Sequence, residues 1–277
     1  MEFFVNVVSH LFYFALGIGV IGYLIHFLNV LFYRLVGNGR AACYASGLIG
    51  TPIHELSHAL MCIIFRHKIT DMKLFQMDDE SGTMGYVTHS YNPRNLYQKI
   101  GCFFIGVAPI ICGSLVLHLL MLWLLPEEYR EISQLTDDFS LLMSDGLTFD
   151  IISYSFAVVW QSLLTIFTSF DKGISCIAFL LIGACVALHM KLSGADIKGA
   201  IPSMPAIIIL IAAVNGIFYG ISFISYDIYV GFSAAVNAVG VRLFATLLLS
   251  LCLTAICVLI VLLINAIKSV IKAVLKR

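Results

Sequence analysis

The sequence predicts an all-α polytopic membrane protein of about six transmembrane helices with one small membrane-associated β-hairpin. Three observations carry that expectation. Of the 277 residues, 60% are hydrophobic and only 12% charged, with a mean hydropathy of +0.98, far from the balance of an ordinary soluble domain. Apolar runs of the length a bilayer requires recur at 11–33, 45–65, 100–125, 173–191, 204–226 and 241–266. Between the second and third runs, KITDMKLFQM and TMGYVTHSY flank the turn-forming DDESG, the pattern of a hairpin over 68–91.

Taken in order, the N-terminal MEFFVNVVSHLFYF shows neither the cationic region nor the small-residue cleavage site of a signal peptide. It is read as the start of the first span, so that 1–44 forms an N-terminal transmembrane helix and loop. The hairpin cannot turn open strand edges to lipid and belongs at the interface, within protein or against a water-lined cavity. After the third span, the acidic segment 126–150 carries Glu127, Glu128, Glu131, Asp137, Asp138, Asp145 and Asp150 against one Arg130. Its scarcity of Lys and Arg puts it on the outer side, whereas segment 66–99 and the C-terminal KSVIKAVLKR are basic and read as cytoplasmic. A further apolar stretch, IISYSFAVVWQSLLTIFTSF at 151–170, is peppered with Ser, Thr and Gln. A crossing there would put the cationic tail outside, so it is read as lying on the outer surface. Residues 45–200 form the core of the protein, and 201–277 the C-terminal transmembrane helices and basic tail.

The formal net charge is zero, so no basic surface argues for nucleic acid, and the bilayer is the expected surrounding. No nucleotide loop or haem motif is present. The eight cysteines are scattered singly, with no C-x-x-C pair, and are expected to pack as small hydrophobes.

One stretch resists a purely structural reading. GTPIHELSHALMCIIF, residues 50–65, places two histidines and a glutamate in a segment otherwise apolar enough for lipid, where an ionisable group without a partner costs several kcal/mol. His54, Glu55 and His58 spell H-E-x-x-H. Four helical residues advance about 400°, so both imidazoles lie on one face, a turn apart, able to ligate one zinc ion. Glu55 then stands beside the open position of the metal, where it can take a proton from water. Two neutral ligands hold zinc poorly, and a third is expected from a later span. Asp196, in LHMKLSGADIKGAIP, is the first choice because the small-residue break at Ser193-Gly194 lets helix segments approach closely. His189, two helical turns earlier, is its rival. Asn92, Asn95 and Gln98 read as capping and solvating a helix start, and His67 and His89 as surface groups.

These residues resemble the site-2 protease family of intramembrane zinc metalloproteases, in its bacterial-type members. Three blocks carry the resemblance, in the order of the family: HELSHAL in one span; FFIGVAPIICGSLV, similar to the A-G-P-x-x-N segment; and LSGADIKGA, similar in place to the L-D-G block. Val107-Ala108-Pro109 stands for A-G-P, Gly113 stands near the expected Asn, and Asp196 is followed by Ile. The resemblance implies His54, His58 and Asp196 as zinc ligands and Glu55 as general base. It further implies a hairpin that presents an unwound substrate as an extended strand, a membrane-protein substrate, and a multi-pass location in a bacterial plasma membrane. Two other functions fit the same residues: a metal-handling or transport protein with an intramembrane ion pathway, and a catalytically silent protease relative that binds transmembrane segments.

Overall fold

The computed structural model describes residues 7–8, 19–37, 39–77, 83–142 and 149–275. Helices α1 (Gly22–Leu35) and α2 (Gly39–Ile64) precede strands β1 (Lys68–Lys73) and β2 (Tyr86–Ser90). There follow α3 (Leu96–Leu124), α4 (Pro126–Leu142), α5 (Phe149–Thr168), α6 (Ile174–His189), α7 (Gly194–Ala200), α8 (Met204–Ser222) and α9 (Tyr226–Val274). The DDESG turn, the first part of the first predicted span, Asp145 and the terminal Lys276 and Arg277 lie outside the described residues.

Among the described residues, four helical stretches are long and apolar enough to cross a membrane: Arg40–Ile64, Leu96–Leu124, Gly194–Ser222 and Tyr226–Val274. Gly19–Leu35, Phe156–Thr168 and Ile174–His189 are apolar but shorter. The last predicted span, 241–266, is the middle of a single helix of 49 residues. That helix is about 74 Å long, more than twice the hydrocarbon thickness. The sequence has no proline after Pro205, so nothing stops the helix once it starts.

The acidic segment is helical over Pro126–Leu142. Pro126 suits a first helical position, and Glu127 and Glu128 in the first turn face the positive end of the helix dipole. The helix folds back beside α3, where the Tyr129 ring meets His118 edge-on at 6.3 Å. Its acids find partners on neighbouring elements: Asp137 pairs with Arg242 of α9, Glu127 with Lys172, and Glu128 accepts a 2.6 Å hydrogen bond from Ser169. The Lys172 ammonium holds the exposed Glu127 carboxyl below the usual carboxylate range.

α2 packs against α3 and α6, and α9 runs along α1, α3, α4, α5, α6 and α8. One buried cluster gathers Ile25, Ile110, Leu117, Val186 and Leu247, and a second gathers Leu125, Ile166, Phe179 and Leu253. α2 ends in a Schellman turn: Arg66 N–H bonds to the Ile63 carbonyl at 3.2 Å and His67 N–H to the Cys62 carbonyl at 2.8 Å. Arg66 occupies the left-handed position at φ 57°, where glycine is the usual residue, so the turn carries about 1 kcal/mol of strain. Gln98 and Tyr97 at the start of α3 tie it down by donating to the Arg66 and Ile64 carbonyls. Asn95 caps α3 as its sequence context predicts, accepting from Tyr97 and Gln98 N–H.

β1 and β2 pair antiparallel from Lys68 opposite Ser90 to Lys73 opposite Tyr86, with one irregularity between Ile69 and Asp71. Val87, His89 and Tyr91 alternate with Tyr86, Thr88 and Ser90, and both strands contact α2.

Phe179 is fully buried where α6 packs against the bundle. Phe179→Ala is expected to cost about 3–5 kcal/mol, read as a lower midpoint of thermal unfolding in detergent micelles.

Candidate metal centre

Neutral imidazole has one N–H and one bare nitrogen, so the hydrogen bonds of one nitrogen decide what the other presents. His54 Nδ1 lies 2.7 Å from the His189 carbonyl oxygen, and His58 Nδ1 lies 2.7 Å from the Ile105 carbonyl oxygen. A carbonyl only accepts, so both Nδ1 atoms carry the hydrogen and donate. Both Nε2 atoms are therefore bare. They stand 3.2 Å apart, with Asp196 Oδ1 3.3 Å from His58 Nε2 and Asp196 Oδ2 3.9 Å from His54 Nε2.

Lone pairs thus converge from three side chains, with no donor between them. With both imidazoles neutral, such a cluster, in residues no more than about one-eighth exposed, favours a cation at its centre. In a tetrahedral site with ligand bonds near 2.0–2.1 Å, donor atoms lie about 3.3 Å from one another. The 3.2 and 3.3 Å separations match this and the 3.9 Å one is longer; these three residues can hold a metal ion.

The two receiving carbonyls are free for identifiable reasons. In α3, the Ile105 carbonyl would bond the N–H four residues on, but that residue is Pro109, which has none. In α6, His189 is the last helical residue, and its carbonyl falls among the terminal ones with no intrahelical donor. The Pro109 of the A-G-P-like block therefore acts on His58 from a neighbouring helix.

Asp196 is fixed by a capping box. Ser193 Oγ accepts from Asp196 N–H at 3.1 Å, and Asp196 Oδ2 accepts from Ser193 N–H at 2.7 Å. The break between α6 and α7 supplies this cap. Gly106 lets α7 approach α3, because a Cβ there would lie 2.6 Å from the Asp196 carbonyl oxygen and 2.8 Å from Ala200 Cβ. The His189 ring takes no part in the cluster: its Nδ1 donates to the Cys185 carbonyl at 3.0 Å and the imidazole packs onto Gly50. His189 serves the centre through its backbone.

Glu55 is 7% exposed and lines, with His54, His58 and Asp196, a cavity of about 570 Å³. Gly85, just before β2, packs against Glu55; a Cβ at Gly85 would lie 2.8 Å from Glu55 Cγ and from Thr51 Cγ2. Tyr86, Val87, His89 and Tyr91 line the same cavity. His67 and His89 are not the surface groups their sequence context predicts. His67 is 6% exposed and stacks on Tyr91, and His89 faces the cavity. The sequence signal for His89 is the two-residue alternation of Val87 and His89 in β2 with Tyr91 just after it, which puts His89 on the face shared with an apolar and an aromatic side chain.

Comparison with models of known protein families, with curated proteins and with solved structures gives no match.

Pro109→Ala restores a donor for the Ile105 carbonyl inside α3 and sets it in competition with His58. Metal affinity, measured with a chromophoric chelator competing for Zn2+, is expected to fall about 10–100-fold while the helical circular dichroism is retained.

Proposed function

We propose that the protein is an intramembrane zinc metalloprotease that hydrolyses a peptide bond in a membrane-embedded protein substrate, and that it is a divergent relative of the site-2 proteases. The observation that carries this reading is the convergence of three acceptor side chains on one point beside a buried glutamate, at the wall of a cavity bounded by a β-strand. Two imidazoles and one carboxylate are the donor set of hydrolytic zinc sites, which keep a position open for water. His54, His58 and Asp196 would hold zinc, which would supply Lewis acidity toward a carbonyl oxygen and a water.

Glu55 accepts the proton of the attacking water and passes it to the leaving amine. Its place against Gly85 keeps the carboxylate on the cavity side of α2. A transmembrane helix hides its peptide bonds in internal hydrogen bonds, and an unwound segment needs new partners for its N–H and C=O groups. The hairpin beside the cavity suits that need, because each of its strands has an edge not occupied by the other.

The topology belongs to the same proposal: about six spans, with 151–170 on the outer surface and the basic segments and metal-binding blocks toward the cytoplasm of a bacterial plasma membrane. That depth gives water a short route to the centre.

In purified protein, Glu55→Gln is expected to retain one zinc per chain while cleavage of co-expressed membrane proteins falls by about 10²–10⁴-fold, read as the loss of fragments by mass spectrometry. Equal zinc with unchanged fragments would reject hydrolysis. A phenotype that survives Glu55→Gln but needs zinc would favour ion handling, and one that needs neither would favour a silent binding protein.

A further inference from the structure

We infer that His89 is a substrate-positioning residue, whose bare Nε2 accepts a hydrogen bond from a backbone N–H of an extended peptide lying in the cavity. This inference rests on the peptide-binding part of the proposal above and extends it to a residue outside the metal cluster.

His67 Nε2 lies 2.8 Å from the Gln98 carbonyl oxygen, which can only accept, so Nε2 carries the hydrogen. His67 Nδ1 is then bare. It lies 3.0 Å from His89 Nδ1, and a hydrogen bond between the two requires His89 Nδ1 to be the donor. The remaining nitrogen of His89, Nε2, is consequently unprotonated. His89 lines the same cavity as His54, His58 and Asp196, and no hydrogen bond from another described residue reaches its Nε2.

The relay is held firmly. His67 follows the Schellman turn that ends α2 and is stacked on Tyr91 at 5.0 Å between centroids and 14° between planes. Gln98 sits in the first turn of α3, whose cap and side-chain bonds to Arg66 and Asn92 fix its backbone. Burial, and the nearby His67 and His58, lower the tendency of His89 to take up a proton. A neutral acceptor in the cavity wall is suited to a neutral donor, and an unwound peptide offers one at each backbone N–H. The leaving amine, after proton transfer, offers the same chemistry.

Zinc-loaded Glu55→Gln protein in nanodiscs tests the assignment without hydrolysis. Nitrogen-15 NMR of labelled histidines, with His89 identified by its loss in His89→Phe, is expected to show an unprotonated Nε2 and a protonated Nδ1. Adding His67→Phe releases the relay and mixes the two tautomers, while His67→Gln, which keeps a donor and an acceptor, restores the single form. Binding is read by fluorescence anisotropy with a labelled apolar 20-residue peptide carrying a central Gly-Pro break. Its N–H groups are replaced one at a time by ester oxygens. One replacement is expected to weaken binding about tenfold, and the same replacement to have no further effect in the Glu55→Gln/His89→Phe protein, which is already weakened by that factor. A protonated Nε2, no binding of the peptide, or losses that are the same with and without His89 would overturn the inference. Hydrolysis enters neither readout, so absence of cleavage by the wild-type protein counts against the proteolytic reading alone.

Discussion

Donation of the His54 and His58 Nδ1 hydrogens to two backbone carbonyls is the interaction on which the centre depends. It fixes both tautomers, turns both bare Nε2 atoms toward one point, and ties α2 to α3 and to the end of α6. The acceptors exist because the backbone is interrupted at those places, by the missing N–H of Pro109 in one helix and by the terminus of another. An uninterrupted bundle would present no free carbonyl at this depth, since every helical carbonyl would be bonded within its own segment. The irregularities of the fold and the chemistry of its centre are therefore one feature.

The same economy governs Asp196. Its carboxylate closes the capping box that starts α7, and the backbone bond on Oδ2 turns Oδ1 toward His58. Gly106 and Gly85 act as absences: one permits α7 to reach α3, and the other lets the chain just before β2 pack against Glu55. Residues of β2 line the same cavity as the cluster, so the metal-binding groups and an extended backbone share one space. The second histidine pair repeats the tautomer logic of the first, with Gln98 supplying the fixed acceptor.

Much of this was legible in the residues. H-E-x-x-H in an apolar segment named His54, Glu55 and His58, because helical periodicity alone puts two residues four apart on one face. The small-residue break before Asp196 pointed to a close approach of helices, and the flanked turn at 78–82 to the hairpin. That break alone favours Asp196 over His189, and the structure brings Asp196 rather than His189 to the imidazole pair, because α6 stops at His189 and the ring of His189 turns away to the Cys185 carbonyl. The role of Pro109 was not legible, because the sequence does not show that the Ile105 carbonyl it releases meets His58 of another helix. His67 and His89 read as surface groups from their polar surroundings; the alternation of Val87, His89 and Tyr91 was the signal for His89, and His67 had none. The length of α9 was hidden by hydropathy, which reports the apolar middle of a helix and not its polar continuation.

X-ray absorption at the zinc edge, on wild-type protein purified without chelator, tests the centre most directly. The account predicts one zinc per chain, bound by nitrogen and oxygen at about 2.0–2.1 Å with the multiple-scattering signature of two imidazoles. Protein that purifies folded but without zinc and fails to take it up, or zinc held through sulfur at about 2.3 Å, would contradict it.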